Sequence, residues 1–232
     1  MRKLHDWNLS YAEARRVQGE LAGRVQFVPL RKEPRLIGGL DCAFSKDGKR
    51  IFAAAVLLRV SGFRHGPDGG LEAFEFEQVE TVTAVQEARF PYIPGLLSFR
   101  EAPVCLAAAA KLSRPPDLFI IDGQGVAHPR RLGLASHLGL FLEKSTIGCA
   151  KSRLIGEFQE PGSRKGAWSL LRDGDEVIGE VVRTRSGVKP VFVSVGHLCT
   201  LENASTVTLA CTTRYRLPEP TRLAHQAVSK LR

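Results

Sequence analysis

The chain has no C-x-x-C pair, and its five cysteines, Cys42, Cys105, Cys149, Cys199 and Cys211, are scattered and odd in number. Such spacing excludes a zinc knuckle and a disulfide framework, and fits buried, reduced thiols in a cytoplasmic protein. No run approaches the ~20 apolar residues that a membrane span requires. The opening Met-Arg-Lys-Leu-His-Asp-Trp has no apolar signal region. A soluble protein without a membrane partner is expected. Neither G-x-G-x-x-G nor a G-K-[ST] loop occurs, which argues against a nucleotide-binding α/β protein. No internal repeat, low-complexity tract or linker divides the 232 residues, so a single domain over 1–232 is expected. Acidic residues are in deficit: 24 Asp+Glu against 33 Lys+Arg leave a formal charge of +9. That imbalance favours a polyanionic partner, nucleic acid before membrane.

What is present reads as alternating strands and helices. Ser10-Tyr-Ala-Glu13 is a capping box, and Tyr11, Ala14, Val17 and Leu21 follow at helical spacing, predicting a helix over 11–21. Residues 36–44 read as a strand ending near Asp41, and Lys46-Asp-Gly-Lys49 as a hairpin turn. Residues 51–60 form the returning strand, Ser61–Gly70 a Gly/Pro-rich surface loop, and 72–82 a third strand. A proline-bracketed loop over 89–95 leads to a second capping box, Ser98-Phe-Arg-Glu101, and a helix over 102–112. Further strands are expected at 118–121, 146–150, 177–183 and 191–195, the last two as a hairpin, with helices at 132–143, 201–212 and 221–231. Three antiparallel strands followed by parallel strands linked by helices make an α/β mixed sheet with helices on both faces. This arrangement resembles the ribonuclease H-like fold.

The chemistry gathers at strand tips. The apolar run Leu118–Ile121 ends on Asp122 and breaks at once into Gly-Gln-Gly, with His128, Arg130 and Arg131 close behind. A carboxylate there is costly unless its charge is paired, and the glycines admit a close-approaching backbone or ligand. The segment is either such a site or a plain loop whose Asp caps the next helix. Asp41 ends the first strand, so a parallel neighbour would set it beside Asp122. The two charges would repel, and a divalent cation between them, Mg²⁺ or Mn²⁺ for hard oxygen donors, removes that penalty. Asp41 reads equally as a strand-end residue bonded to turn amides. Glu101 is either a third acid of this site or the third-position residue of its capping box. Lys151 follows a buried strand bordered by Gly148 and Ala150, as a site cation or a solvated lysine. His225, alone on the last helix, carries little weight by itself.

Four segments in order, Pro91-Tyr-Ile-Pro-Gly-Leu-Leu-Ser-Phe-Arg-Glu101, Asp122-Gly-Gln-Gly-Val-Ala-His128-Pro-Arg, Gly148-Cys-Ala-Lys151-Ser and Pro218-Glu-Pro-Thr-Arg-Leu-Ala-His225, resemble endonuclease V. The resemblance runs from the first helix to His225. It implies a metal-dependent DNA repair endonuclease that nicks DNA at the second phosphodiester 3′ to a deaminated base, deoxyinosine, leaving a 3′-hydroxyl and a 5′-phosphate. It further implies Mg²⁺ held by Asp41 and Asp122, with Glu101, Lys151 and His225 completing the catalytic set. Tyr92, with Pro91, Ile93 and Pro94, would be a wedge entering the duplex. Gly95, Leu97, Gly123, His128, Gly148 and Ala150 would line the pocket for the flipped base. Monomeric action is expected. Ser61–Gly70 departs from the family pattern as a longer loop, which bears on oligomerisation and surface contacts. Cleavage of inosine-containing RNA is the rival enzymatic reading, and a catalytically silent nucleic-acid binding module the rival of another class.

Overall fold

The computed structural model describes residues 2–66 and 71–231. The first helix, α1 (Tyr11–Ala22), is capped as the sequence dictates: the Ser10 hydroxyl accepts the Glu13 N–H, and the Glu13 carboxylate accepts the Ser10 N–H. Its buried stripe is Ala14, Val17, Gln18 and Leu21, a helical face with one amide among the hydrocarbons.

The strands β1 (Leu36–Phe44), β2 (Arg50–His65) and β3 (Leu71–Glu87) form the expected antiparallel meander. Then follow α2 (Leu97–Ala109), β4 (Leu118–Ile121), α3 (Leu134–Leu142) and β5 (Ser145–Ala150), with β4 parallel to β1 and β5 parallel to β4. The chain continues through β6 (Trp168–Asp173), β7 (Glu176–Val182), β8 (Val191–His197), α4 (Leu201–Ala210) and α5 (Glu219–Ser229). One eight-stranded sheet results, in the order β3-β2-β1-β4-β5-β8-β7-β6. Its two faces follow from side-chain alternation. Leu40, Ala53, Ala55, Phe119 and Ile121 pack under α2 and α3, while Ile37, Leu118, Ile120, Val193 and Val195 pack with α4. The even-numbered positions of β2, Phe52 to Leu58, meet α5 through Val228 and Ala224. Helices therefore cover both faces, as the ribonuclease H-like pattern requires. No helix among the described residues is long and apolar enough to cross a membrane.

Several expectations are corrected. The stretch read as a loop from Ser61 is strand as far as His65, while residues 67–70 of that loop lie outside the described residues. Register shifts at Leu57/Leu58, Val60/Gly62 and Arg64/His65 let β2 bend and continue through Gly62, and the Phe63 and Phe74 rings meet edge to face across the pair. Asp41 lies inside β1 rather than at its end, since β1 pairs with β2 as far as Phe44. β6 had no counterpart in the sequence reading: it is an edge strand with mostly exposed positions, so its apolar pattern is weak. It forms a tight hairpin with β7, while β7 and β8 pair antiparallel as expected, over a short register.

The second capping box does not form. The Leu96 N–H bonds to the Ile93 carbonyl, turning the chain into α2 five residues before the expected start at 102, with Leu96 as the cap and no side-chain capping bond. Ser98 thus sits within the first turn, against His137 Nδ1 at 3.1 Å, and Glu101 sits in the second turn. Glu101 has no capping duty, which leaves its carboxyl for the sheet edge beneath it.

Candidate active site

The parallel pairing of β1 and β4 sets Leu40 opposite Ile121, and the Asp122 N–H donates to the Leu40 carbonyl at 3.0 Å. Asp41 and Asp122, each one residue further on, therefore stand side by side where ligands collect on such sheets. β5 runs parallel beside β4 and delivers Lys151 directly after Ala150. The Lys151 ammonium bonds to Asp122 Oδ2 and lies 3.4 Å from His225 Nδ1. His225 arrives on α5, with Nδ1 2.7 Å from Asp41 Oδ2. One ligand atom each from Asp41, Asp122 and His225 lies within 4.8 Å of the others.

The electrostatics fit this crowding. Burial, and then the neighbouring Asp122 charge, push the Asp41 carboxyl up to about 6. Glu101 is pushed up to about 7, first by burial and then by the charges of Asp41 and Asp122. The folded chain thus concentrates three acids faster than its own cations neutralise them. Two adjacent hard carboxylates and an imidazole form a donor set suited to a divalent cation.

A pH dependence follows, with a definite sign. In the folded chain Asp41 and Glu101 hold protons that the unfolded chain would release in the ordinary carboxylate range, so both cost stability as pH rises through about 6 to 7. A cation can bind only by displacing the Asp41 proton. The rise in Tm on adding Mg²⁺ should therefore be slight near pH 5 and full-sized near pH 8. An equal rise at both, measured by scanning calorimetry, would place the cation elsewhere.

The structure also locates the remaining predicted residues. Pro91, Tyr92, Ile93 and Pro94 form the loop between β3 and α2, with the Tyr92 ring 68% exposed. Gly95 ends that loop at φ +78°, and Leu97 is the first residue of α2. His128 is buried next to Gly95, and its Nδ1 accepts the Arg130 N–H at 3.1 Å. Burial, then the Arg130 charge, lower its pKa to about 4, so the ring is neutral at neutral pH. Gly123 takes φ +154°, and Ala150 is buried at the tip of β5. Gly148 is filled from behind: a Cβ there would stand 2.4 Å from the Gly125 amide nitrogen. Its bareness lets the Asp122-Gly-Gln-Gly turn lie flat on β5.

Three supporting groups escaped the sequence reading. Arg216 Nη2 donates to the carbonyls of Lys151 and Pro190 at 2.5 and 2.7 Å, steadying the β5 tip from the loop before α5. Gly39 on β1 gives its space to the Pro220 carbonyl of α5. Gln18 bonds the Gly95 turn from α1, and its place on the stripe with Ala14, Val17 and Leu21 was the signal that could have found it.

A model of the endonuclease V family matches residues 19–226. The chain belongs to the endonuclease V family. It is similar to the endonuclease V of Methanothrix thermoacetophila, at 47% identity over 97% of this chain and 93% of that one. The crystal structure of the Streptomyces avermitilis endonuclease V superposes with a TM-score of 0.86 at 43% identity, covering 97% of this chain and 94% of that chain. The Ciona intestinalis endonuclease V, solved with a 24mer DNA containing an inosine followed by a ribo-adenosine, superposes with a TM-score of 0.76 at 29% identity, over 95% of this chain and 96% of that chain. As a family member, the chain is a metal-dependent endonuclease.

Proposed function

We propose that this endonuclease V hydrolyses a DNA phosphodiester on the 3′ side of deoxyinosine, with Mg²⁺ as its cation and the second phosphodiester as its point of cleavage. DNA repair at deoxyinosine is the activity of such a chain. The observation that carries the proposal is the meeting of Asp41, Asp122 and His225 beside Lys151, on three adjacent parallel strands and the last helix.

Asp41 and Asp122 would hold the cation, with His225 Nδ1 as the third donor. When bound, a divalent cation supplies positive charge to the phosphoryl oxygens and makes water acidic enough to attack at neutral pH. Lys151, partly exposed and already balancing Asp122, reaches out to a phosphate oxygen as a point charge. Glu101 lies behind the pair, its carboxyl raised in the cation-free site by burial and by the Asp41 and Asp122 charges, and would serve as a proton acceptor once a cation offsets those charges. The water oxygen ends on the 5′-phosphate, the bond from phosphorus to O3′ breaks, and a proton from the water ends on the 3′-hydroxyl. The exposed Tyr92, braced by Pro91 and Pro94, enters the duplex where the lesion base leaves. Neutral His128, the Gly95 turn backed by Arg130, and Gly123 border the space for that base, which lacks the exocyclic amine of adenine and guanine. Five free thiols support a reducing, cytoplasmic setting.

The test uses matched DNA and RNA oligonucleotides carrying one inosine, with Mg²⁺ or EDTA. DNA nicking with Mg²⁺ and none in EDTA is the expected result. The ribo-adenosine in the DNA bound to the Ciona relative keeps RNA as the second reading. Much faster cutting of the RNA strand would replace the DNA assignment, and nicking in EDTA would remove the metal. Tyr92→Ala should slow cleavage at a paired deoxyinosine by roughly tenfold or more, since opening a base step costs a few kcal/mol. An unchanged rate on paired substrate would remove Tyr92 from the wedge.

A further inference from the structure

Gln18 lies on the apolar stripe of α1 and is wholly buried, where a leucine would pack without cost. Its amide is fully employed. Nε2 donates at 2.9 Å to the carbonyl of Gly95 and at 2.9 Å to that of Leu132, and Oε1 accepts from Arg130 Nε. Arg130 Nη2 in turn donates to the same Gly95 carbonyl at 2.6 Å, and His128 also bonds the Gly95 backbone. A Cβ on Gly95 would meet Arg130 Nη2 at 2.7 Å, so the left-handed turn and the guanidinium are built for one another. Around this knot, Ala14, Val17 and Leu21 of α1 share one apolar cluster with Phe90, Leu96, Phe99 and Leu132, and Ile93 packs against it.

The last carbonyl of the Pro91–Gly95 turn is thus tied to two remote segments, α1 and the stretch that follows Asp122. A wedge that pries open a base stack is pushed back with equal force. A loop free to swing would spend that force on its own displacement. We propose that Gln18 is a positioning residue for lesion opening: its amide, with Arg130, locks the Gly95 carbonyl so that Tyr92 is driven into the duplex from a fixed base. The inference rests on the wedge role given to Tyr92 above. It assigns to α1, which touches neither cation ligand nor Lys151, a share in extracting the base.

The test compares wild type, Tyr92→Ala, Gln18→Met and Gln18→Glu on a duplex with paired deoxyinosine and on a single strand with the same deoxyinosine unpaired. Gln18→Met keeps volume but loses every polar contact. Gln18→Glu keeps an acceptor for Arg130 but cannot donate to either carbonyl. Both should slow the duplex reaction by about tenfold, and the single-strand reaction by less than about threefold, as Tyr92→Ala does. Hydrogen exchange over residues 93–97 should quicken by about tenfold in both variants, with the amides of β1 and β4 unchanged. Equal losses on both substrates would make Gln18 merely structural. Wild-type behaviour of Gln18→Glu would overturn the role of its donor amide. Unchanged exchange at 93–97 would remove the clamp itself. If Gln18→Met fails to fold, Arg130→Lys, which keeps the charge and loses the fork, should show the same split. Should wild type nick neither substrate, the functional reading fails, while the exchange data still decide the clamp.

Discussion

Asp122→Ala is expected to lower Mg²⁺-dependent nicking by roughly a thousandfold or more, because a catalytic cation contributes several kcal/mol and each 1.36 kcal/mol is tenfold in rate. Binding to deoxyinosine DNA should survive, since the Tyr92 wedge lies on a separate loop and alanine keeps the Asp122 backbone bond to Leu40 that holds the Gly123–His128 stretch. The fold should survive too. Lys151, the partner left behind, is partly exposed and can be solvated. Asp41 should even gain, because the Asp122 charge is one of the two causes of its raised pKa. In the absence of cation the variant's Tm should equal or exceed that of wild type, and Mg²⁺ should no longer raise it. Calorimetry with and without Mg²⁺, beside a nicking assay, separates this outcome from simple misfolding. Nicking at near the wild-type rate would remove Asp122 from the centre.

Gly39→Ala should be a damaging substitution at a residue with no chemistry of its own. The added Cβ would stand 2.0 Å from the Pro220 carbonyl oxygen and 2.8 Å from Pro220 Cα, both backbone atoms of α5 that cannot step aside as a side chain would. Overpacking of this kind costs about 1–3 kcal/mol, which lowers Tm by roughly 2–10 °C in a chain of this size. The helix that must move carries His225, and its Nδ1 is placed 2.7 Å from Asp41. A displacement of about 1 Å at such a contact is enough for a hundredfold loss of rate. Activity should therefore fall far more than stability, and His225→Ala in the same background should add little further loss. Additive losses would show that the helix had not moved.

The meeting of Asp41 and Asp122 was legible because each acid follows a buried apolar run and the parallel order of β1 and β4 brings them together. Leu118–Ile121 had to be buried, and the acid at its tip needed a neighbour that a parallel strand could supply, which β1 does from within its length. The helix-borne parts were harder. Glu101 looked bound to a capping box because Ser-Phe-Arg-Glu satisfies that pattern by composition, whereas a Leu96–Ile93 turn made further upstream decided where α2 begins. His225 could not be weighed from α5 alone, since its partner is 184 positions away. The extension of β2 through Ser61 and Gly62 and the edge strand β6 depend on cross-strand partners, and local turn or alternation signals outvoted them. Gln18 was hidden for a different reason. Its spacing marks it as buried, but nothing short of the folded structure says which carbonyls await it.

The bond between Asp41 and His225 also sets an order in time. Synthesis lays down Asp41, Glu101, Asp122 and Lys151 well before α5, so a chain still held on the ribosome ahead of residue 219 carries a cluster of acids without its third donor. Until α5 arrives, the face of β2 that it covers, Phe52 to Leu58, is bare as well. A chain arrested before residue 219 should therefore fail to nick, and extension through residue 229 should restore both the covered face and the activity.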